Sequence, residues 1–417
     1  MEKSARAVNK MDEKTKLPPF TIVESISTLS QRIDWGLKDS NVPETWKVTK
    51  GEGITCMVID TGHPEHPDLK GNIKAGENFI SNEPIEDQNG HQTHCTGIIC
   101  GVDNDIGMVG VAPEAKCISV KALSKSGGGS YIGLAQALDY AIKTKPDLVS
   151  MSLGGPSPSP ILEDKIKTLY NMNIPVICAA GNTGQGGVNW PAAFDDTIAV
   201  AAYDKYGNIA SFSSRGDKVE WAAPGVNIYS TFLNKGYASL SGTSMACPFI
   251  AGVICLMLSK HKKQEKETGK NDCKTVKEIR EHLLKYTDDK GVVGKDNDWG
   301  YGVIDVDRLI GGDKPDSKPQ PEPKPEPEPP KPPDSTPPKP PPQDRPPETP
   351  EDSPTNPSDP PFWKRNIAWI ILGVFILGAL IAFLISFSAT DDIPPPPYIN
   401  PDGTIDWDKK LEEEGLN

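Results

Sequence analysis

Three short polar segments of the chain contain the residue types that nucleophilic catalysis requires. VIDTG contains Asp60, NGHQTH contains His91 and SGTSMACP contains Ser244. A serine hydroxyl is a poor nucleophile until a nearby imidazole removes its proton, and a buried carboxylate must hold that imidazole in the correct tautomer. Taken singly, such an aspartate is often a cap, such a histidine a loop residue and such a serine the start of a helix. Together the three segments predict a catalytic triad.

The elements that position these segments follow from the apolar pattern. Unbroken apolar runs alternate with segments of helical length, which is typical of a parallel sheet with helices on both faces. The runs are 53–60, 116–123, 147–155, 174–182 and 197–203, and the helical segments include 131–145 and 161–173. In such a sheet, chemistry lies beyond the carboxyl ends of the strands, and Asp60 ends the first run. The predicted fold class is α/β with a mainly parallel central sheet.

The chain order Asp60, His91, Ser244 resembles that of the subtilisin-like serine peptidases, or subtilases. The likeness runs from Gln31 to about Ile310 and is closest in style to the intracellular subtilisins. Further motifs that carry it are SQRIDWG (30–36), GVDNDIGMVGVAPEA (101–115), MSLGG (151–155), AAGN (179–182), FSSRG, APG and WGYGVIDV. The resemblance implies a three-layer peptidase domain over residues 30–312. It also implies a serine endopeptidase that forms an acyl-enzyme on Ser244, with His91 as general base and then general acid.

The same resemblance assigns the residues around the scissile bond. Asn182 is expected to donate its side-chain amide to the oxyanion together with the backbone N–H of Ser244, while its plain alternative is a turn residue. Two segments are expected to border the cleft and to pair with extended protein or peptide substrates: Ser152, Leu153 and Gly154 on one side, and Gly127, Gly128 and Gly129 on the other. A flexible loop is the alternative for the glycine run.

A structural calcium ion is also implied by the resemblance, through the loop at 102–108. The expected side-chain ligands are Asp68, Asn104 and Gln31, and the expected carbonyl ligands are Val102, Ile106 and Met108. Six hard oxygen donors suit calcium and not zinc. The alternative is a loop that hydrogen bonds alone hold in place.

Two residues depart from the family pattern. Gln92 replaces the glycine that usually follows the catalytic histidine, and we expect it either to narrow the cleft or to change how His91 is seated. Phe249 occupies the place of a common histidine in MACPFIAG. These departures leave open a second function class, in which an inactive subtilisin fold serves as an anchored peptide-binding scaffold.

The N-terminal extension, residues 1–29, has charges but no apolar stretch for a secretory signal and is short for a folded prodomain. Two alternatives remain for its KLPPF segment (16–20). Either the segment lies across the cleft and inhibits, with proline resisting cleavage, or the extension is a disordered leader.

The chain after the peptidase domain divides into three parts. Residues 313–361 are dominated by proline interleaved with charge, which predicts a disordered, extended linker or stalk. Residues 366–388 are apolar and uncharged, long enough for one transmembrane helix, and an acidic tail follows at 389–417. Lys364 and Arg365 precede the span and Asp391 and Asp392 follow it, so the expected topology is single-pass with a cytoplasmic catalytic domain and the lipid bilayer as partner. The reverse topology is the alternative.

Composition narrows the remaining function classes. The net charge of -13 argues against a nucleic-acid-binding surface. The eight cysteines mostly lie in apolar segments without the spacing of a disulfide framework or a zinc site, which predicts buried free thiols in a reducing compartment. No obligate partner and no redox cofactor are evident from the sequence.

Overall fold

The computed structural model of the 417-residue chain describes residues 14–17, 21–26 and 30–311. The chain divides into two compact units, Met1–Glu326 and Pro327–Asn417, and all described residues belong to the first. The predicted proline-rich linker, the apolar span at 366–388 and the acidic tail therefore lie outside the described residues.

The described strands fall into one large sheet and several small ones. The strands are β1 (Lys14–Lys16), β2 (Thr21–Ile26), β3 (Thr55–Asp60), β4 (Ile73–Asn78), β5 (Lys116–Lys121), β6 (Gly128–Ser130), β7 (Leu148–Met151), β8 (Val176–Ala179), β9 (Thr197–Tyr203), β10 (Val219–Pro224), β11 (Ile228–Phe232), β12 (Gly236–Ser241), β13 (Thr287–Asp288) and β14 (Val303–Ile304). The large sheet has seven strands in the order β10-β9-β8-β7-β3-β5-β4, and each neighbouring pair is parallel. The prediction of a parallel central sheet is confirmed.

Helices cover both faces of this sheet. They are α1 (Trp35–Asp39), α2 (Val42–Thr45), α3 (His91–Cys100), α4 (Tyr131–Thr144), α5 (Pro160–Asn171), α6 (Thr243–Thr268), α7 (Val276–Lys285) and α8 (Val306–Gly311). Side chains alternate along β3, so Cys56 and Val58 join the core that holds α3 and α6, while Met57 and Ile59 join the core that holds α4 and α5. The domain therefore has three layers, as the sequence predicts.

The two pairs of helices are buried to different degrees. α5 follows Ser159 with a proline in its first turn, and only Leu162, Ile166 and Leu169 on one face are buried. In contrast, all ten residues of α3 are buried, and α6 is buried without a break from Thr243 to Ser259. Within the described residues α6 is also the one helix long and apolar enough to cross a membrane, but its apolar part lies in the protein core.

Three small sheets complete the fold, and two of them contain the N-terminal strands. β1 pairs antiparallel with β6, and β2 adds an antiparallel edge to the β11-β12 hairpin. β13 and β14 pair antiparallel near the end of the domain. The extension before residue 30 is thus tied to the domain by backbone pairing at two places.

Candidate active site

Asp60 lies at the carboxyl end of β3, as the apolar pattern predicts. Its side chain is fully buried, and its Oδ1 accepts a hydrogen bond of 2.8 Å from the backbone N–H of Thr61. Its own carbonyl oxygen accepts from the N–H groups of Ala122 and Leu123, both at 2.9 Å. The carboxylate is therefore fixed at the sheet edge where the neighbouring strands also end.

His91 is the first residue of α3, and its ring lies against Asp60. Nδ1 of His91 is 2.8 Å from Oδ1 and 2.9 Å from Oδ2 of Asp60, and both side chains are fully buried. Burial alone would lower the pKa of His91, but the Asp60 carboxylate raises it, and the net pKa lies well above the usual value. The pair can therefore accept a proton on Nε2 while Asp60 stabilises the imidazolium.

Gly90 allows the turn into this helix. Its φ is +94°, in the left-handed region that favours glycine, and an added Cβ would lie 2.6 Å from the ring of Phe232. A larger residue here would displace the start of α3 and with it His91.

The second histidine of NGHQTH has a different environment. Nε2 of His94 lies 3.0 Å from the carbonyl oxygens of both Ile228 and Ala238, which belong to β11 and β12. Burial lowers the pKa of His94 to about 3, so the ring stays neutral. Of the two histidines in the motif, only His91 contacts a carboxylate, as the sequence predicts.

Ser244 is the second residue of α6, where backbone N–H groups of the first turn point towards the sheet edge. Its hydroxyl donates a hydrogen bond of 3.3 Å to the carbonyl oxygen of Ser152. Attack on a substrate requires this hydroxyl to turn and donate to the His91 ring instead. Ser244, His91 and Asp60 come from the ends of different elements, and each is fully buried.

A proline inside α6 explains how the backbone of Ser244 is held. Pro248 has no N–H and so cannot donate to the carbonyl oxygen of Ser244, four residues earlier. That oxygen accepts instead from Oγ of Ser152 at 2.9 Å and from the thiol of Cys95 at 3.4 Å. Burial raises the pKa of Cys95, which keeps it a thiol donor. These two hydrogen bonds, which replace the missing helical one, tie α6 to α3 and to the end of β7.

Asn182 follows β8 and faces the start of α6. Its Oδ1 accepts from the N–H of Thr243 at 2.9 Å and from the hydroxyl of Thr243 at 2.8 Å. These two bonds fix the amide plane and leave its NH2 group, not its oxygen, on the side of Gly242, where an added Cβ would lie 3.0 Å from Nδ2. The oxyanion role predicted for Asn182 depends on this NH2 group.

Gln92 does not lie in the cleft. The side chain is fully buried, and its Oε1 accepts from the N–H of Gly62 at 2.7 Å while its Nε2 donates to the carbonyl oxygen of Val58 at 3.1 Å. The departure from glycine therefore braces the turn that follows Asp60 and does not obstruct the substrate.

A buried polar network next to this turn was not predicted from the sequence. Asp87 accepts from the hydroxyl of Thr61 at 2.8 Å and from both the N–H and the hydroxyl of Thr93, at 2.9 and 2.6 Å. The fully buried Lys121 donates to the carbonyl oxygen of Thr61 and lies 3.3 Å from the carboxylate of Glu83. The available signal was a second lysine, Lys121, at the carboxyl end of a strand whose interior is mostly apolar.

The predicted cleft segments differ in their secondary structure. Ser152, Leu153 and Gly154 directly follow β7, and the adjoining Gly155 forms a backbone bridge to Trp190. On the other side, Gly128 and Gly129 lie in β6, while Gly127 precedes it with a φ of +78°. The glycine segment is not a free loop, since β6 is already paired with β1.

The chain's own N-terminus occupies this edge. Lys14, Thr15 and Lys16 are in register with Ser130, Gly129 and Gly128, and the N–H of Leu17 donates to the carbonyl oxygen of Gly127 at 2.9 Å. Thr15 is fully buried, Leu17 is 9% exposed, and Leu17 packs with the core of α4 and α5. Of the predicted KLPPF segment, Lys16 and Leu17 are described, whereas residues 18–20 lie outside the described residues. An extended peptide thus pairs with the edge expected to bind substrates.

Comparisons with known proteins match the segment that contains these residues. A profile of the subtilase family matches residues 51–302, which is more than half of the chain. The chain belongs to the subtilase family. The family makes it a serine-type endopeptidase, in agreement with the paired Asp60 and His91.

Several characterised relatives align over the same region. This subtilase is 44% identical over 236 residues to a thermostable alkaline protease of Halalkalibacterium halodurans, covering 56% of this chain and 65% of the relative. It is 38% identical over 280 residues to subtilisin Savinase of Lederbergia lenta, covering 67% of this chain and 98% of the relative. It is 38% identical over 262 residues to the major intracellular serine protease of Bacillus subtilis, covering 60% and 82%. The alignment thus spans less than two thirds of the first relative and nearly all of Savinase.

The residues of the predicted calcium site converge on Asp68 in this subtilase. Asp68 is fully buried, and its carboxylate accepts from the N–H of Met108 at 2.9 Å, the hydroxyl of Tyr237 at 2.8 Å and the amide of Asn104 at 3.2 Å. The amide of Gln31 donates to the carbonyl oxygen of Val102 at 3.1 Å.

The donor chemistry of this group fits a calcium ion. The carboxylate makes no ion pair among the described residues, so its buried charge is balanced only by neutral donors, and a cation would complete it. Asn104 is engaged at both ends of its amide, since its Oδ1 accepts from the N–H of Ile106 at 2.9 Å. Oδ1 of Asn104 accepts this single hydrogen bond and has a second lone pair for a cation.

All eight cysteines lie in the described residues and are buried free thiols, as the sequence predicts. One of them has neighbours that the sequence did not indicate. Cys273 lies close to two histidines, although the spacing of the cysteines had predicted no metal site.

Proposed function

We propose that this subtilase is a membrane-anchored serine endopeptidase that cleaves extended segments of proteins through an acyl-enzyme on Ser244. The observation that carries the proposal is the fully buried pair of His91 Nδ1 and Asp60 Oδ1, 2.8 Å apart, beside the first turn of the helix that contains Ser244. Few reactions other than acyl transfer use a carboxylate, an imidazole and a serine hydroxyl placed in this way.

Each residue has a defined role in the proposed reaction. His91 removes the proton of the Ser244 hydroxyl as Oγ attacks the scissile carbonyl, and Asp60 stabilises the imidazolium that forms. Asn182 and the N–H of Ser244 donate to the oxyanion. His91 then returns the proton to the leaving amine, and a water molecule, activated by the same imidazole, hydrolyses the ester.

Protein substrates are expected to bind as an added strand. β6 offers backbone groups of Gly128 and Gly129 on one side, and the segment Ser152–Gly154 after β7 lies on the other. The antiparallel pairing of β1 with β6 supports this geometry, because it shows a peptide of this chain bound to that edge. Pairing through the main chain selects substrates for an extended conformation more than for particular side chains.

We infer that the N-terminal segment restrains the enzyme by occupying this edge. Thr15 and Leu17 are buried against the domain, and the pairing of β2 with β12 holds the segment a second time. Substrate must displace β1 to pair with β6. Pro18 and Pro19 follow Leu17 in the sequence, and a proline resists acylation at the bond beside it.

A single substitution tests the restraint without shortening the chain. Leu17→Glu places a charge in a buried position and should release β1, which raises kcat/KM for a short fluorogenic peptide. Leu284→Glu is the matched control, because Leu284 is 44% exposed on α7, far along the chain from the cleft. Equal activity of the Leu17 variant and the unchanged chain would refute the restraint and leave the endopeptidase assignment intact.

The anchor and its orientation rest on the sequence. The uncharged stretch at 366–388 is long enough to cross a bilayer, and Lys364 and Arg365 on its N-terminal side favour a cytoplasmic catalytic domain. Membrane flotation of the full chain beside a variant lacking 366–388 tests the anchor. Digestion of sealed vesicles by an added protease tests the orientation, and protection of the catalytic domain inside right-side-out vesicles is the expected result.

Calcium is proposed as a structural ion held at Asp68, Asn104 and Gln31 and at the carbonyl oxygens of Val102, Ile106 and Met108. The ion would stabilise the 102–108 loop and take no part in bond cleavage. Chelation should lower the melting temperature of the full chain, and Asp68→Asn should remove that calcium dependence.

The reaction itself is tested by labelling. A fluorophosphonate probe should label the full chain and turnover of a fluorogenic peptide should accompany labelling, whereas Ser244→Ala should show neither. A well-folded Leu17→Glu chain without labelling would favour the inactive peptide-binding scaffold.

A further inference from the structure

A cluster of two histidines and a cysteine lies at the far end of α6, away from the triad. His261 is on α6, His282 is on α7 and Cys273 is in the connection between the two helices. One ring nitrogen of each histidine and the sulfur of Cys273 lie within 4.8 Å of one another. His261 and Cys273 are each only 3% exposed, and His282 is half-buried.

The geometry of the two rings matches ligands of one metal ion. Nε2 of His261 and Nε2 of His282 are 3.3 Å apart, and the rings are nearly perpendicular at 89°. In a tetrahedral zinc site with Zn–N bonds of about 2.0–2.1 Å, two ligand nitrogens are about 3.3–3.4 Å apart. The corresponding distance from nitrogen to sulfur is about 3.6 Å. The present separations are within 4.8 Å, so each nitrogen–sulfur distance has to shorten by at most about 1.2 Å.

A proton shared between the two Nε2 atoms is the alternative to a metal ion. Nδ1 of His261 is buried and has no hydrogen-bond partner among the described residues. It stays unpartnered whether the Nε2 atoms share a proton or bind an ion, so this atom does not distinguish the two arrangements. The buried thiol of Cys273 beside both rings is what a metal ion explains and a shared proton does not.

Neighbouring charges do not prevent binding. Lys260 and Lys285 act electrostatically on the cluster, and so do Asp272 and Glu278 with the opposite sign. The ammonium of Lys260 donates to the carbonyl oxygen of Leu309 at 3.0 Å, and that of Lys285 to the hydroxyl of Tyr286 at 3.1 Å. The lysine charges are thus held on other acceptors, and a thiolate at Cys273 would offset one charge of the ion.

Solvent reaches the cluster through a surface cavity of about 420 Å³. Cys273 forms part of its wall, together with Asn271, Lys274 and Ile279. The cavity provides a path for an ion as far as Cys273, the one member of the cluster that lines it.

We propose that His261, Cys273 and His282 form a site for a tetrahedral transition-metal ion of the zinc class that fastens α7 to α6. The nitrogen and thiolate ligand set favours zinc and not calcium, so the site is chemically distinct from the oxygen cluster at Asp68. His261 follows Ser244 by 17 helical residues, a rise of about 26 Å. The ion is therefore structural and is not involved in peptide hydrolysis.

Cobalt provides a direct probe because it replaces zinc and reports its ligands by absorption. The experiment uses the full chain with Ser244→Ala, which prevents self-digestion, in buffer with calcium to keep the 102–108 loop unchanged. Titration with Co²⁺ should give one ion per chain, intense visible bands of tetrahedral coordination and a thiolate charge-transfer band. Added Zn²⁺ should displace the cobalt and raise the melting temperature.

Four variants decide where the ion binds. Cys273→Ser should abolish the charge-transfer band, and His282→Gln should weaken cobalt binding by at least roughly tenfold. Cys178→Ser is the control for loss of an unrelated buried thiol and should leave the spectrum unchanged. Cys95→Ser should also leave it unchanged, and it tests the other group with metal-ligand geometry, formed by Asp60, His91 and Cys95.

The outcomes separate the proposal from its rivals. A charge-transfer band that survives Cys273→Ser, or that is lost with Cys95→Ser, would place the ion elsewhere and overturn the proposal. The absence of any tetrahedral cobalt spectrum in the folded Ser244→Ala chain would do the same. Circular dichroism monitors folding of each variant, and if Cys273→Ser unfolds, the affinity and zinc-induced melting shift of His282→Gln decide the question.

Discussion

The two faces of the seven-stranded sheet are built on different principles. On one face, α4 and α5 present an apolar side to the sheet and a polar side to solvent, and α5 buries only Leu162, Ile166 and Leu169. On the other face, α3 and α6 are buried on all sides over most of their length, together with their polar residues. Both faces bury apolar area, and the second face depends in addition on matched hydrogen bonds of its buried polar residues.

This difference explains where the chemistry is. His91 and Ser244 both begin helices of the second face, and Asp60 ends the strand between the two layers. Hydrogen bonds made by four buried residues connect the elements that carry these side chains: Thr61, Gln92, Cys95 and Ser152. Substitutions on the second face should lower catalytic activity. Substitutions on the first face that cost the same unfolding free energy should not.

The largest expected effect belongs to the nucleophile. Ser244→Ala should reduce kcat for a fluorogenic peptide by at least about 10⁴-fold, because the covalent step is lost while the oxyanion donors stay. The melting temperature should change little, since the hydroxyl makes a single hydrogen bond of 3.3 Å. Residual turnover near that of the unchanged enzyme would mean that Ser244 is not the nucleophile.

The oxyanion donor should come next. Asn182→Ala should reduce kcat by roughly 10²–10³-fold with little change in KM, because the lost bond forms only in the transition state. Asn182→Asp provides a comparison that keeps the acceptor for the Thr243 hydroxyl but removes the NH2 donor. Recovery of activity in that variant would contradict the assigned role.

A pair of substitutions compares the two faces directly. Gln92→Leu leaves the N–H of Gly62 without its acceptor at a cost of about 1–3 kcal/mol, and displacement of the turn after Asp60 should lower kcat/KM roughly ten- to a hundredfold. Ile166→Ala on α5 should cost about 2–5 kcal/mol in unfolding free energy and leave kcat/KM unchanged below the melting temperature. Denaturant unfolding and peptide kinetics on both variants test this, and an equal loss of activity in both would end the distinction between the faces.

The pH dependence should reflect the raised pKa of His91. Catalysis needs the neutral imidazole, so kcat/KM should fall tenfold per pH unit below that pKa. Because Asp60 shifts the pKa upward, the acid limb should lie at higher pH than for an ordinary histidine, whose pKa is about 6.5. A profile of kcat/KM for the Leu17→Glu chain measures the limb directly, and a midpoint below that of free histidine would contradict the structure.

The smallest effect should come from the surface of the first face. Lys165 on α5 and Asp139 on α4 form an ion pair of 2.7 Å that is partly exposed to solvent. Lys165→Met should change the unfolding free energy by less than about 1 kcal/mol and kcat/KM not at all. A larger loss in denaturant unfolding would show that the outer helices rely on more than apolar packing.

The sequence was sufficient for features that repeat locally or match a family motif. Apolar runs located five strands of the central sheet, and the motifs around Asp60 and His91 predicted the buried contact between these two side chains. The roles of Gln92, Asp87 and Lys121 could not be read in advance, because their partners are brought together only by the crossing of α3, β3 and β5. The ring pair of His261 and His282 has the same origin, since it forms where α6 and α7 meet. The pairing of β1 with β6 joins residues more than a hundred positions apart, and no local pattern encodes that register.

The pairing of β1 with β6 also has a consequence for how activity responds to concentration. A competing strand that is part of the same polypeptide acts at a fixed effective concentration, of millimolar order for a short connection. Dilution of the enzyme therefore leaves unchanged the fraction of molecules in which β1 occupies the edge of β6. Weakly binding substrates compete poorly with β1 at any enzyme concentration. If β1 restrains the enzyme as proposed, cleavage between β1 and the domain by a second copy of the enzyme would end this competition. Activation would then be self-accelerating, with a lag that shortens as the enzyme concentration rises.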